Sequence, residues 1–141
     1  MSSELRIPRD LADEIIKHCL AGVPNEACGL LASRDGRIVD VFTMTNASTS
    51  PVRYSLDPHE QFAAYKKIEG EGWELAAVFH SHTRTEAYPS PTDVRLAVEP
   101  VPHLIVSLAQ EPPVLRAFLI LKEDFRAEQG DVEEVPVIVE G

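Results

Sequence analysis

The chain has 141 residues, the size of one ordinary domain, because two cores of half this length would each be too small to stand alone. With 44% hydrophobic and 26% charged residues it has a globular balance, which excludes disordered and fibrous classes. Thirteen Lys and Arg against 23 Asp and Glu give a net charge of −10, so nucleic acid and anionic membrane, which need a basic footprint, are excluded as partners.

Residues 1–141 are therefore expected to form a single domain. No apolar run approaches the ~20 residues of a membrane span, and the opening MSSELRIPRDLADEII is charged and helix-like, unlike a signal segment. Cys19 and Cys28 are the only cysteines and do not suggest a disulfide framework, which points to a reducing cytoplasm.

Pro8 suits a first helical turn, and Leu11, Ile15, Ile16, Cys19 and Leu20 then recur at helical spacing before Gly22. Two strands follow, from Cys28 to Ala32 and from Ile38 to Met44, joined by the tight turn Arg34-Asp35-Gly36. The polar stretch 46–53 reads as loop. Asp57-Pro58-His59-Glu60 has a cap acid, a proline at the first helical position and a Glu behind it, predicting a second helix that ends near Gly70 or Gly72. Its expected core face is Phe62, Tyr65 and Ile68.

Leu75-Ala76-Ala77-Val78-Phe79 is a continuous apolar run, the pattern of a strand buried on both faces, and it leads directly into His80-Ser81-His82. Ser90-Pro91-Thr92-Asp93 again has the order of a helix start and predicts a short third helix. Strands are expected at 103–109, 114–121 and 132–139, divided by proline pairs, an acidic turn and Gly130. The class is α+β with a mostly antiparallel sheet.

Side chains alternate along a strand, so His80 and His82 project from one face, close enough to share an ion. A hydrolytic zinc typically takes three protein ligands and leaves the fourth position to water, and Asp93, at the opening of a helix, is the natural third donor. Water on such an ion has its pKa drawn down to about 7, but amide hydrolysis also needs a carboxylate to move the proton to the leaving nitrogen. Glu26, on the shoulder of the first hairpin, is the candidate, and Ser90 is placed to donate to an oxyanion. Plain structural readings also exist: Ser90 and Asp93 as a capping box, the histidines as a surface or core pair, and Glu26 as a solvated acid. His59-Glu60 lacks the second histidine of an H-E-x-x-H motif, since Ala63 stands there, and Gly70-Glu71-Gly72 lacks the third glycine of a dinucleotide loop. Cys28 reads as a core residue, His18 and His103 as structural or exposed, and Arg84 and Tyr88 as loop residues near the site.

Glu26, then His80-Ser81-His82, seven residues, Ser90, two residues and Asp93 together resemble the JAMM (MPN+) metallopeptidase signature, E followed by H-S-H-x7-S-x2-D. The similarity extends through residues 25–31, 46–61 and 80–96. It implies one zinc per chain held by His80, His82 and Asp93, with Glu26 as general acid/base and Ser90 stabilising the oxyanion. It also implies a cytidine-deaminase-like MPN fold, a curved sheet flanked by helices.

Members of the family cleave peptide or isopeptide bonds after the Gly-Gly tail of ubiquitin-like proteins. The stretch HSHTRTEAYPSPTDVRLA is most similar to small actinobacterial members. These release cysteine from a ubiquitin-like sulfur carrier protein ending Gly-Gly-Cys, in carrier-dependent cysteine synthesis. The chain has no room for the insertions with which eukaryotic deubiquitinases recognise linked ubiquitin. Two alternatives are a protease trimming a carrier's C-terminal extension and a non-catalytic MPN scaffold, the latter opposed by the intact ligand set. Loops 46–53 and 83–89 are the expected walls of a channel for the tail.

Overall fold

The computed structural model describes residues 4–141, and the first three residues of the N-terminal stretch lie outside them. In chain order the elements are β1 (Leu5–Pro8), α1 (Arg9–Gly22), β2 (Cys28–Arg34), β3 (Arg37–Met44), α2 (Pro58–Glu71), β4 (Glu74–His82), α3 (Pro91–Leu96), β5 (His103–Ser107), β6 (Val114–Leu121), β7 (Asp131–Val135) and β8 (Val137–Glu140).

The helices start and stop where local chemistry directs. Asp57 caps α2 by accepting from the N–H groups of His59 and Glu60, and the helix ends at Gly72. The β2–β3 connection is a two-residue turn in which Asp35 and Gly36 both have positive φ, the twist that brings paired strands back together.

Three expectations are corrected. The segment before α1 is a strand, because β1 has parallel partners in β3 and β8 that no local pattern announces. In α2, Phe62 is 65% and Tyr65 37% exposed, while Ala64 and Ile68 are buried. The helix lies close enough to β4, β2 and β3 that its inward stripe accepts a small residue where the bulky aromatics do not fit. Leu20 likewise faces solvent, and the buried stripe of α1 is Ala12, Ile15 and Cys19.

Among the described residues eight strands form one sheet in the order β7-β6-β5-β4-β2-β3-β1-β8. Pairings β2–β3, β2–β4, β5–β6 and β6–β7 are antiparallel, whereas β1–β3, β1–β8 and β4–β5 are parallel. The two edge strands, β7 and β8, are separated in the chain by Pro136 alone, so the sheet curls until its edges meet there. Pro136 contributes its carbonyl to the Leu5 N–H at 2.8 Å, and proline, with no N–H to offer a ladder, suits the point where one extended segment changes edges. Register shifts at Leu31/Ala32 and Ala32/Ser33 add to the bend.

The inner strands are buried on both faces. Leu31, Ala77, Phe79, Leu104 and Val106 pack toward α1, and Leu30 and Val78, one position out of phase, pack toward α2. Alternation therefore sends His80 and His82 to the α2 face and Ser81 to the α1 face. Gly29 keeps β2 and Phe79 in contact, since a Cβ there would collide with the Phe79 ring and the Phe42 carbonyl.

Candidate metal centre

β4 is central in the sheet, so its two histidines are held on a rigid backbone rather than on a loop. His80 lies opposite Cys28 of β2 and Ile105 of β5, and His82 opposite Ser107. Loop 83–90 crosses the same face, with Ala87 buried against Ile105 and Phe118, and delivers the chain to Ser90. There a reciprocal capping box forms: Ser90 Oγ accepts the Asp93 N–H at 3.0 Å and Asp93 Oδ2 accepts the Ser90 N–H at 2.9 Å. The cap fixes the first turn of α3 and aims the Asp93 carboxylate at the histidines.

The three side chains meet through single atoms. His80 Nε2 and His82 Nε2 are 3.3 Å apart, and Asp93 Oδ2 lies 3.2 Å from the first and 2.9 Å from the second. Ligands ~2.0–2.1 Å from a tetrahedral ion stand about 3.3 Å from one another, so the triangle has the size that zinc requires. All three are buried, and their donor atoms can hold one metal ion.

His82 Nδ1 lies 2.8 Å from the Glu86 carbonyl and donates its hydrogen there, so release of the proton that Nε2 shares with Asp93 would leave the Nε2 lone pair turned toward the cluster. The His80 ring is stacked on Tyr54, with centroids 4.5 Å apart and planes 20° from parallel. Burial alone would push the Asp93 carboxyl up, but hydrogen bonds from His80 and His82 outweigh it and hold the group well below the ordinary carboxylate range. Asp93 is thus an anion ready to ligate.

Glu26 is 4% exposed, so it is not a solvated acid. Among the described residues its Oε1 has no hydrogen-bond partner, and burial first, then the Asp93 charge, push its pKa up to about 8 against a smaller opposing influence from His82. Backbone ties hold it beside the cluster. Ala27 N–H donates to Ser81 Oγ at 2.9 Å, Ser81 N–H returns to the Ala27 carbonyl at 3.0 Å, and Asn46 Nδ2 donates to the Glu26 carbonyl at 2.9 Å. A carboxyl that titrates near neutrality beside a metal-sized cluster is suited to accept and return a proton.

Candidate residues from across the chain are thereby gathered: His80, His82 and Asp93 in contact, Ser90 bound to Asp93, and Glu26 within electrostatic reach of Asp93 and His82. Sequence reasoning missed Ser81, Asn46 and Tyr54. Ser81 had a signal, since a polar residue between two ligands points by alternation to the opposite face and needs a partner there. Of the two expected channel walls, the end of loop 46–53 borders a cleft beside Asp93 through Arg53, but no residue of 83–89 does. The second loop instead braces the site, with Thr85 giving its carbonyl to the Ser107 hydroxyl. Among the described residues no helix is long and apolar enough to cross a membrane.

The family profile describing prokaryotic homologs of the JAB domain matches residues 8–121. The chain is 39% identical over 139 residues to the CysO-cysteine peptidase of Mycobacterium tuberculosis, covering 96% of this chain and 90% of that one. It is 37% identical over 117 residues to a probable TtuB-protein conjugate cleaving protease of Thermus thermophilus, covering 82% and 76%. Among solved structures, protein DSY2949 of Desulfitobacterium hafniense superposes with a TM-score of 0.84 at 37% identity over 96% of this chain and 92% of that one. A JAB1/MPN domain protein of Archaeoglobus fulgidus shares the fold, with a TM-score of 0.60 at 17% identity over 97% and 100%.

Proposed function

As the chain belongs to the family of prokaryotic JAB domains, we propose that it is a zinc-dependent peptidase that cuts the amide after the C-terminal Gly-Gly of a ubiquitin-like sulfur carrier and releases cysteine. One observation carries this reading: a buried Glu26 whose Oε1 has no hydrogen-bond partner among the described residues, beside a zinc-sized triangle of His80, His82 and Asp93. A scaffold has no use for a buried acid left without a hydrogen bond, which costs stability without contributing to packing.

In this reading His80 and His82, from one face of β4, and Asp93, from the capped start of α3, hold the ion. A zinc ion there supplies Lewis acidity toward the scissile carbonyl and activates water. With the charge of a bound cation nearby favouring its ionised form, Glu26 would take the proton of the attacking water at its free Oε1 and pass it to the leaving nitrogen, which departs as an amine. Ser90 Oγ accepts from Asp93 N–H, so its own hydroxyl hydrogen is available to the developing oxyanion. The wall formed by Cys28, Tyr54 and Val78 behind the histidines keeps bulk water from the far side of the site. This reading puts the protein in the cytoplasm, where thiols such as the buried, unpaired Cys19 and Cys28 stay reduced.

A second reading is cleavage of carriers conjugated to other proteins, favoured by the likeness to the Thermus protease. Mass spectrometry of the zinc-loaded protein incubated with a ubiquitin-like carrier ending Gly-Gly-Cys tests the first reading. Loss of one cysteine residue from the carrier is expected, and an unchanged carrier alongside cleavage of a lysine-linked conjugate overturns it in favour of the second.

A further inference from the structure

A cleft of about 260 Å3 opens beside Asp93. Tyr54, whose ring stacks on His80, contributes to its lining, so the cleft is continuous with the metal centre. Leu96 and Val98 give it an apolar side, and its charged lining groups are Arg53, Asp93 and Glu99. Asp93 is taken up by the histidines. Arg53, exposed at the cleft, makes no side-chain hydrogen bond and no ion pair with either acid among the described residues. Its backbone is nevertheless fixed, since its carbonyl accepts Asn46 Nδ2 at 3.0 Å from the same amide that holds the Glu26 carbonyl. A guanidinium fork with its donors unused is thus carried at the cleft on a stretch of backbone that is held in place.

The cleft is smaller than the ~300–1,000 Å3 of sites for drug-sized ligands, and its scale is that of one residue. A planar fork of donors matches a carboxylate in a bidentate pair better than it matches any other terminal group of a peptide. We propose that Arg53 reads the free α-carboxylate of the departing residue, so that the substrates are carriers extended by a single C-terminal amino acid. The inference rests on the peptidase reading above and narrows it. A lysine in an isopeptide link offers no such carboxylate, because its main chain continues in both directions. Glu99, which shares the cleft, repels an entering carboxylate, and Arg53 has to offset that repulsion.

The test uses zinc-loaded protein and three semisynthetic substrates on one carrier: a tail ending Gly-Gly-Cys, the same tail as its C-terminal amide, and the carrier linked through Gly-Gly to a lysine side chain. Amidation is expected to lower kcat/KM of the wild type about 10–100-fold, the scale of a lost charged hydrogen bond, mainly through KM. Arg53→Gln is expected to suffer the same loss on the free acid and no further loss on the amide, with Arg53→Lys between the two. Glu99→Gln is expected to lower KM for the acid alone.

Wild-type indifference to amidation, or an acid preference that survives Arg53→Gln, overturns the role of Arg53 and leaves the peptidase reading standing. Cleavage of the lysine-linked substrate alone overturns both the single-residue class and cysteine release. Inertness toward all three overturns the peptidase reading itself.

Discussion

Ser81 and Ala27 bind each other twice, Ala27 N–H to Ser81 Oγ at 2.9 Å and Ser81 N–H to the Ala27 carbonyl at 3.0 Å. Since Ser81 stands between the two histidines and Ala27 follows Glu26, this clasp sets the distance between the acid and the metal ligands. Ser81→Ala leaves the Ala27 N–H buried and unpaired, with an expected cost of about 1–3 kcal/mol. Bound zinc should be retained while kcat falls about tenfold or more, because Glu26 is less well placed. Thermal melts, metal analysis and turnover on one preparation check this, and unchanged turnover would show that the clasp serves stability alone.

Asp93 and Ser90 separate ligation from support. Asp93→Ala removes one donor of three and should sharply reduce zinc bound per chain from the expected one equivalent, measured by elemental analysis after dialysis. Ser90→Ala loses a helix cap, about 1 kcal/mol, and should keep zinc while slowing turnover ~10²-fold. Equal zinc loss in both variants would reduce Ser90 to a prop for Asp93.

Glu26 makes the metal-free protein sensitive to alkali. Its pKa is raised from the ordinary 4.5 to about 8, chiefly by burial, so between those values the unfolded chain has released a proton that the folded one retains. The stability contributed by this group is fully present below about pH 4.5, declines as pH rises, and is lost above about 8. Glu26→Gln should remove that slope, keep zinc binding, and lower hydrolysis by at least ~10²-fold. Unfolding by urea from pH 5 to 9, with chelator present, tests the first claim: equal slopes in the two proteins would contradict it.

His103 acts in the opposite direction. It is 1% exposed, neither ring nitrogen makes a hydrogen bond of ordinary geometry among the described residues, and burial followed by the His80 charge lowers its pKa from 6.5 to about 4. The folded state keeps the ring neutral while the unfolded chain binds a proton, so this group's contribution is present above pH 6.5 and lost as pH falls toward 4. The loss amounts to ~3 kcal/mol at ~1.4 kcal/mol per pKa unit. His103→Leu, which fills the site without a titrating ring, should flatten the acid limb of stability between pH 4 and 6.5. An acid limb as steep as that of the wild type would place the sensitivity elsewhere.

What could be read from the amino-acid order alone was local. The capping sequences at Asp57 and Ser90, the turn at Asp35-Gly36 and the same-face projection of His80 and His82 each depend on residues within a few positions, where backbone geometry is dictated by near neighbours. Residue chemistry proposed the assembly of Glu26, His80, His82, Ser90 and Asp93, and resemblance gave each of them its role. Tertiary structure decided which face of α2 is buried, because the depth of packing admits Ala64 and turns Phe62 out. It also made Leu5–Pro8 a strand by supplying partners from β3 and β8. Local sequence leaves Glu26 readable either as the proton carrier or as a solvated acid, and its burial, the missing partner of its Oε1 and the tie of the adjacent Ala27 to Ser81, 54 residues away, arise only when the sheet closes over it. Desolvation is a property of everything packed around a group, and no window of sequence contains it.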